Sequence, residues 1–161
     1  MHIRLVRPSD AEPIRSIYNV EVLGSVATFD LRPRTPEEQL AWMSEHRGPH
    51  PAIVAVDDDV VLGFGSLSAF RNRPAYATTV EDSVYVDAAG RGAGVGRALL
   101  HELVVLANQH GFHAVIARIG GGNEASIRLH LACGFEMVGV EREVGRKFNR
   151  WLDVSVLQRL L

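Results

Sequence analysis

The sequence predicts a single α/β domain whose strands and helices follow one another in the order βααβββαβαββ. Short runs rich in β-branched residues alternate with longer segments whose apolar residues recur at helical spacing. Helical segments also carry start or stop signals, such as capping residues before them or glycine after them. No internal repeat, low-complexity tract or linker interrupts the 161 residues, a length at which a chain buries about two thirds of its surface. We therefore expect one domain over residues 1–161.

The first third of the chain predicts one strand followed by two helices. Residues 2–6 alternate between apolar and polar side chains, as a half-buried strand does. Ser9 and Glu12 have the spacing of a capping box, and the apolar residues behind them recur at helical intervals. Thr35 and Glu38 repeat that spacing around a proline, which is favoured at the first helical position, and predict a second helix that ends near residue 47.

The middle of the chain predicts a hairpin followed by a βαβ unit. Two β-rich runs, 52–56 and 60–67, are separated by three aspartates that suit a tight turn. A strand at about 78–86, a glycine-rich turn, a helix at about 94–110 and an apolar strand at 113–119 come next.

The last part of the chain predicts a short helix and two closing strands. Asn123 is a favourable N-cap, and Cys133-Gly134 marks the end of this helix. Residues 135–140 and 151–160 have the composition of strands.

The composition excludes several classes of function. Hydrophobic residues make up 47%, charged residues 22%, and the formal net charge is -2, which is typical of a soluble globular protein and not of a nucleic-acid binder. No apolar run approaches the roughly 20 residues that span a bilayer, so we expect no membrane partner and a cytoplasmic location. Cys133 is the only cysteine, which favours a buried, unreactive thiol. The histidines lack metal-site spacing, so we predict no metal.

An anion site is indicated by the turn between the predicted strand and helix, which reads Gly90-Arg91-Gly92-Ala93-Gly94-Val95-Gly96-Arg97. A strand that enters a helix through glycines directs free backbone N–H groups and the positive end of the helix dipole at the turn, which suits a phosphate. The dinucleotide-binding fingerprint does not match, because it requires glycine at the position of Val95 or Arg97. The P-loop motif does not match either, because neither Gly90 nor Gly92 is followed by a lysine at the required spacing. The alternative is a turn that only reverses the chain.

Two ordered motifs carry a resemblance to a known family. They are Arg91-x-x-Gly94-x-Gly96 and, one strand later, Asn123-x-x-Ser126-x-x-x-His130-x-x-x-Gly134-Phe135. Both resemble motifs of the GNAT acetyltransferases. Three more stretches are most similar to the phosphinothricin and methionine sulfoximine N-acetyltransferases: Thr79-Val80-Glu81-x-Ser83-Val84-Tyr85-Val86, Ser126-Ile127-Arg128-Leu129-His130 and Val144-Gly145-x-Lys147-Phe148-x-Arg150-Trp151-x-Asp153. The resemblance implies a GNAT-like domain, a central mixed, mostly antiparallel twisted sheet of about seven strands flanked by four helices.

The resemblance also implies acetyl-CoA as the acetyl donor and assigns residues to it. The main chain of Val84, Tyr85 and Val86 would run beside the pantetheine arm, as a further strand would. The pyrophosphate turn would comprise Arg91, Gly92, Ala93, Gly94, Val95, Gly96 and Arg97. For Arg97 a solvated helix face is an equal alternative. Asn123 and Ser126 would contact pantetheine, although helix initiation accounts for both without a ligand.

The catalytic residues implied by the resemblance are Glu81 as general base, acting through water, and His130. A carboxylate in a half-buried strand can have a raised pKa, as a base for an amine requires. Alternation places Glu81 and Asp82 on opposite faces of the strand, so we expect one of them to be solvated. Most GNAT members have tyrosine in place of His130 as the proton donor to the thiolate. His130 could donate that proton, orient substrate, or be a satisfied core histidine.

For the acceptor, the resemblance implies an amino-acid-like amine and a homodimeric enzyme. Arg71 or Arg73, which precede Tyr76, could hold an α-carboxylate through a guanidinium, the alternative being two solvated loop arginines. Phe29 could form a wall of the acceptor pocket or belong to the core. Lys147 begins a stretch similar to the substrate-side loop of the subfamily.

Together these observations predict an N-acetyltransferase that moves acetyl directly from acetyl-CoA to the α-amine of a small acceptor of the phosphinothricin or methionine sulfoximine or sulfone type. Direct transfer is expected because Cys133 is poorly placed and no activated serine elbow occurs. Two alternatives stay open. The acceptor could be another amine, such as a protein N-terminus, a polyamine or an aminoglycoside, or the domain could be a non-catalytic acyl-CoA sensor.

Overall fold

Seven strands and four helices make up the fold, in the predicted order. The computed structural model describes all residues from 1 to 161. The strands are β1 (His2–Leu5), β2 (Ala52–Asp57), β3 (Val60–Ala69), β4 (Thr79–Val86), β5 (Ala114–Gly120), β6 (Glu136–Lys147) and β7 (Arg150–Leu160). The helices are α1 (Ala11–Gly24), α2 (Pro36–Glu45), α3 (Val95–Gln109) and α4 (Glu124–Ala132). None of them is long and apolar enough to cross a membrane.

All seven strands belong to one sheet, in the spatial order β1-β2-β3-β4-β5-β7-β6. Neighbouring strands are antiparallel except β4 and β5, which are parallel and joined by α3, as the predicted βαβ unit requires. The parallel pairing extends only from Thr79–Ala114 to Glu81–Ile116, and beyond it the two strands separate. The mixed, mostly antiparallel sheet is confirmed, and a gap opens between two of its inner strands.

Two hydrophobic cores fix the helices on opposite faces of the sheet. Alternate residues of β2 pack into the two cores. Ile53 and Ala55 lie in the core between the sheet and α3, and Val54 and Val56 lie in the core between the sheet and α1. In α3, Leu99, Leu100 and Leu103 are among the residues with no exposed surface. Because each buried leucine stabilises the fold by about 1.5–3 kcal/mol, α3 is held firmly against β3 and β4.

The start of α1 differs from the prediction, because Ser9 forms no cap. Ser9 lies in a short 3-10 turn, and α1 begins two residues later at Ala11. The buried Asp10 carboxylate accepts a hydrogen bond from the Arg7 N–H at 2.7 Å and pairs with the Arg4 guanidinium at 2.7 and 2.9 Å. The predicted capping box with Glu12 was wrong, since this ion pair fixes the entry into the helix instead.

The second start signal and the first hairpin turn are as predicted. Thr35 and Glu38 exchange hydrogen bonds of 3.2 and 2.8 Å at the start of α2, which completes a capping box. Asp58 and Asp59 have φ of 44° and 66°, the left-handed geometry of a two-residue hairpin turn.

The closing hairpin is longer than the sequence predicts. β6 continues to Lys147, beyond the predicted end at residue 140, and reaches β7 through a two-residue turn at Phe148-Asn149. The prediction failed because β6 contains register shifts and Glu143 has φ of 55°, which break the apolar alternation. The Glu143 N–H is held by the Asp153 carboxylate at 2.9 Å across the hairpin.

Gly63→Ala tests how closely β3 must approach its neighbours. A Cβ at Gly63 would lie 2.8 Å from the Tyr85 carbonyl oxygen, so the substitution should lower the free energy of unfolding by about 1–3 kcal/mol. Gly139→Ala is the matched control, because a Cβ there meets nothing within 4 Å. Chemical denaturation of the two variants measures the difference, and equal stabilities would contradict the close packing of β3 on β4.

Candidate active site

The gap between β4 and β5 exposes an unpaired strand edge. The Thr78 carbonyl, just before β4, accepts a hydrogen bond at 2.8 Å from the His113 N–H, just before β5. The Thr78 carbonyl therefore lies on the edge of the β4 segment that faces β5. Since the main-chain groups of a strand alternate between its two edges, the N–H and C=O of Asp82, Val84 and Val86 also face that side. The last pairing, of Glu81 with Ile116, uses the Asp82 N–H, and beyond it no β5 residue pairs with Val84 or Val86. The N–H and C=O of Val84 and the N–H of Val86 are therefore free to pair with an extended ligand in the gap, whereas the Val86 C=O accepts a hydrogen bond from Arg91.

A cavity of about 710 Å³ follows the gap, a volume within the usual range for small-molecule sites. It collects twelve of the residues that the sequence predicted for the site: Val84, Tyr85, Val86, Arg91, Gly92, Gly94, Val95, Gly96, Arg97, Asn123, Ser126 and His130. The other predicted residues lie outside its lining: Ala93, Glu81, Phe29, Arg71, Arg73, Tyr76 and Lys147. Asp82, Arg118 and Glu21 line the cavity and were not among the predicted site residues.

The glycine turn presents five backbone N–H groups that have no acceptor within the chain, those of Gly92, Gly94, Val95, Gly96 and Arg97. Gly92 and Gly94 have φ of 77° and 81°, which L side chains rarely adopt. With the N-terminus of α3 directly behind them, these donors form a concave site for an anion. The turn thus fits a diphosphate, as the sequence predicted.

Arg91 bridges the turn and α1. Its guanidinium lies 2.6 Å from the Glu21 carboxylate and 3.3 Å from the Val86 carbonyl. The Arg91 side chain is 58% exposed, so this ion pair contributes little stability and can exchange for another anion. Arg97 is exposed and makes no ion pair.

α4 carries the polar side chains of the cavity wall. The Asn123 side chain accepts the Ser126 N–H at 3.1 Å, so the predicted helix cap is confirmed. One turn further, the buried His130 places Nδ1 at 2.7 Å from the Ser126 carbonyl and Nε2 at 3.0 Å from the Asp82 carboxylate. Its ring packs edge-on against Phe135. Burial lowers the pKa of His130, but the hydrogen bond and charge of Asp82 outweigh this and raise the pKa overall.

Glu81 lies on the face of β4 opposite to Asp82 and is half-buried. We expected one of the two to be solvated; Asp82 is only 6% exposed, and Glu81 is the more exposed of the two but is itself half-buried. Alternation predicts a solvated side chain where one face of the sheet is open to solvent. Here α3 and α4 cover one face of the sheet, and the other face is partly covered. Burial raises the pKa of Glu81; the charges of Asp82 and Glu141 add to the rise, and those of Arg118 and Arg71 oppose it.

Arg118 was missed by the sequence analysis. It lies two residues beyond Ile116, the partner of Glu81, and therefore on the same face of the sheet, where the gap opens. Its guanidinium pairs with the Glu141 carboxylate of β6. The signal in the sequence was an arginine inside an otherwise apolar strand, Ala114-Val115-Ile116-Ala117-Arg118-Ile119.

The predicted substrate-side residues are dispersed around the gap. Arg71 and Arg73 are both exposed, and the Arg71 guanidinium lies 4.8 Å from the Phe70 ring and 5.5 Å from the Tyr76 ring. Phe29 covers the end of the sheet, and its ring takes the space that a Cβ at Gly145 would need. 

Lys147 is buried and donates a hydrogen bond to the Thr28 carbonyl at 2.8 Å. It holds the segment between α1 and α2 in place, and its predicted contact with substrate stays a prediction. No group of three or more His, Cys, Asp or Glu side chains is arranged to hold a metal ion.

The fold and this geometry correspond to one enzyme class. A sequence model of the Acetyltransferase (GNAT) family matches residues 14–135, which include the gap, the glycine turn and α4. The chain belongs to this family, whose members transfer acetyl from acetyl-CoA to an amine. Acetyl-CoA is accordingly its acetyl donor, and the free strand edge and the glycine turn fit the pantetheine and diphosphate parts of that molecule.

Individual relatives and solved structures are similar to this chain over nearly its whole length. A phosphinothricin N-acetyltransferase of Streptomyces coelicolor is 42% identical over 97% of this chain and 95% of its own. An L-methionine sulfoximine/L-methionine sulfone acetyltransferase of Salmonella typhimurium is 38% identical over 98% of this chain and 93% of its own. A crystal structure of a phosphinothricin acetyltransferase from Sinorhizobium meliloti in complex with acetyl-CoA has a TM-score of 0.95 and 41% identity, over 99% of this chain and 88% of that chain.

Gly94→Ala tests the glycine turn. Alanine at a φ of 81° strains the turn by about 1–2 kcal/mol and redirects its N–H groups, so affinity for acetyl-CoA should fall about tenfold or more. Gly111→Ala is the matched control, because Gly111 has the same φ of 81°, has nothing within 4 Å of its added Cβ, and follows the far end of α3. Both variants should lose similar stability. Calorimetric titration with acetyl-CoA that gives equal affinities for the two would contradict the role of the turn.

Proposed function

We propose that this enzyme acetylates the α-amine of a small amino-acid-like acceptor, of the phosphinothricin or methionine sulfoximine or sulfone type. The similarity to relatives named for those acceptors, over nearly the whole of both chains, supports this acceptor class. The observation that carries the proposal is the gap itself. It exposes the edge of β4 to a donor and keeps a half-buried carboxylate, Glu81, beside the point where the strands separate.

The proposed donor site uses backbone groups more than side chains. The N–H and C=O of Val84 and the N–H of Val86 pair with the pantetheine arm in the manner of an added strand. One of these N–H groups can polarise the thioester carbonyl, because it is fixed in place and has no other partner. Asn123 and Ser126 lie along the same arm. The N–H groups of the glycine turn bind the diphosphate. Arg91 exchanges its ion pair with Glu21 for a contact with the same diphosphate.

Glu81 acts as the general base in this proposal. An amine must lose its proton to attack a thioester, and a carboxylate with a raised pKa accepts that proton better than an ordinary one does. Glu81 lies outside the lining of the donor cavity, so the proton passes through water. The free amine approaches from the Glu81 face, and the thioester from the other side of the gap.

Acetyl moves directly from sulfur to nitrogen. The amine nitrogen forms a bond to the carbonyl carbon, the C–S bond breaks, and the sulfur leaves with the electron pair. The amine proton goes to Glu81 through water, and the thiolate takes a proton from His130. An acyl-enzyme at Cys133 is disfavoured, because burial raises the pKa of its thiol and because Cys133 does not line the cavity.

Cations on the Glu81 side suit an acceptor with a carboxylate. Arg71 and Arg118 both lie close enough to Glu81 to lower its pKa by their charge, and an α-carboxylate lies next to the α-amine that Glu81 serves. The predicted contact of Arg73, Tyr76, Phe29 or Lys147 with the acceptor would need movement of the surrounding loops.

The assembly and location that we propose are a cytoplasmic homodimer. β6 is an edge strand, and Met137, Val138, Val140 and Val144 on it are all about half exposed or more. An apolar edge of this kind favours association with a second copy. A free thiol as the only cysteine suits a reducing compartment.

Glu81→Gln tests the acceptor class and the base together. CoA release from acetyl-CoA should be seen with phosphinothricin or methionine sulfoximine, and should fall at least about a hundredfold in Glu81→Gln with little change in acetyl-CoA affinity. Glu45→Gln is the matched control, since Glu45 is exposed on α2. A polyamine and a short peptide complete the panel. Turnover on these alone would contradict the acceptor class, and full activity of Glu81→Gln would contradict the base.

Arg118→Gln tests the electrostatic link to Glu81. The Arg118 charge lowers the pKa of Glu81, so its removal should raise that pKa and move the acidic limb of the kcat/KM profile to higher pH. The sign follows because the base works only when ionised, and activity therefore rises as pH passes its pKa. Arg128→Gln, an exposed arginine paired with Glu124 on α4, should leave the limb in place. A shift to lower pH in Arg118→Gln would contradict the link.

A further inference from the structure

His130 has an acceptor at each ring nitrogen. Its Nδ1 lies 2.7 Å from the Ser126 carbonyl oxygen, which can only accept, so Nδ1 carries a hydrogen. Its Nε2 lies 3.0 Å from Oδ2 of Asp82. In a neutral imidazole with Nδ1 protonated, Nε2 would direct a lone pair at a carboxylate oxygen. The 3.0 Å contact therefore requires a proton between Nε2 and Oδ2.

The burial of Asp82 also indicates that a proton lies between Asp82 and His130. Its side chain is 1% exposed, and its second oxygen, Oδ1, has no hydrogen-bond partner. A lone carboxylate with one hydrogen bond is strongly disfavoured in such a place unless a positive charge or a proton compensates it. The pair therefore holds one proton, which lies between Nε2 of His130 and Oδ2 of Asp82.

Other ionisable groups on this side do not replace the pair's proton. The Cys133 thiol, just after α4, has a raised pKa and stays neutral, and Arg97 of α3 and Arg159 of β7 act by charge on that thiol. The Arg159 guanidinium donates to the Cys133 carbonyl. Glu81 lies on the opposite face of β4. Asp82 is thus the charged partner of His130.

We propose that Asp82 is a positioning residue that keeps a proton on His130 at the wall of the donor cavity, which both residues line. This inference rests on the proposed acetyl transfer. When the C–S bond breaks, the sulfur takes the proton of the pair and becomes a thiol. The pair is left as the Asp82 carboxylate and neutral His130, and it regains a proton from solvent, to which Glu81 returns the proton of the amine.

Asp82→Asn removes the charge and keeps the shape. Without the carboxylate, only the hydrogen bond to the Ser126 carbonyl opposes the effect of burial, so the pKa of His130 should fall. A pair that must be protonated to act loses activity as pH rises through its pKa. The alkaline limb of the kcat profile should therefore move to lower pH by the same amount. The acidic limb, set by Glu81, should also move to lower pH, because the charge of Asp82 adds to the raised pKa of Glu81. Asp58→Asn, in the exposed hairpin turn, is the matched control.

Nitrogen NMR of the histidine-labelled protein gives the second readout, with and without acetyl-CoA. The signals of His130 are assigned among the seven histidines by comparison with His130→Gln. We expect His130 to keep both N–H groups above the pH at which an ordinary histidine loses one, and to lose one at lower pH in Asp82→Asn. An unchanged titration would overturn the inference, as would a shifted titration with an unmoved alkaline limb. The NMR result needs no acceptor, so failure here is distinguishable from failure of the acceptor panel.

Discussion

The separation of β4 from β5 is the constraint on which the rest of the site depends. The two strands are parallel and pair only as far as Glu81 and Ile116. Each is also paired on its other side along its length, β4 with β3 and β5 with β7. The sheet therefore stays intact on both sides while its middle opens, and the main-chain groups exposed in the gap have fixed directions. A ligand that pairs with them orders few groups of the protein, so the protein loses little conformational entropy on binding.

The same separation divides the chemistry between two faces. Because successive side chains of a strand point to opposite faces, Glu81 and Asp82 face different sides of the sheet although they are neighbours in sequence. In the proposed reaction Glu81 receives a proton on one side, and on the other side Asp82 contacts His130 at 3.0 Å. In the proposed reaction the acetyl group is transferred at this gap, so the base and the acid act from opposite faces of the sheet. A strand that carried only one carboxylate could not separate the two roles in this way.

The sequence was sufficient for the order of elements and for the glycine turn, because both depend on local signals. Apolar periodicity identified the strands and helices, and glycines at positive φ, such as Gly94, identified the turn that a Cβ would strain. Asn123 was assigned as a cap from the same kind of local rule, and the cap is present. These features need no knowledge of distant contacts.

The features that the sequence did not predict depend on contacts between distant segments. The Arg4–Asp10 pair displaces the expected cap at Ser9, and Asp82 is buried because His130, 48 residues away, faces it. β6 was predicted too short because the hydrogen bond that holds Glu143 comes from β7. In each case a local pattern gave a reasonable expectation, and a tertiary contact decided the outcome.

Amide hydrogen exchange followed by NMR, with and without acetyl-CoA, tests the central account most directly. The N–H groups of Val84 and Val86 in the gap, and those of Gly92, Gly94 and Gly96 in the turn, have no acceptor in the chain and should exchange rapidly when free. Acetyl-CoA should protect this set first, by pairing with the strand edge and the turn. Binding of acetyl-CoA that leaves these amides unprotected, while amides elsewhere gain protection, would contradict the account.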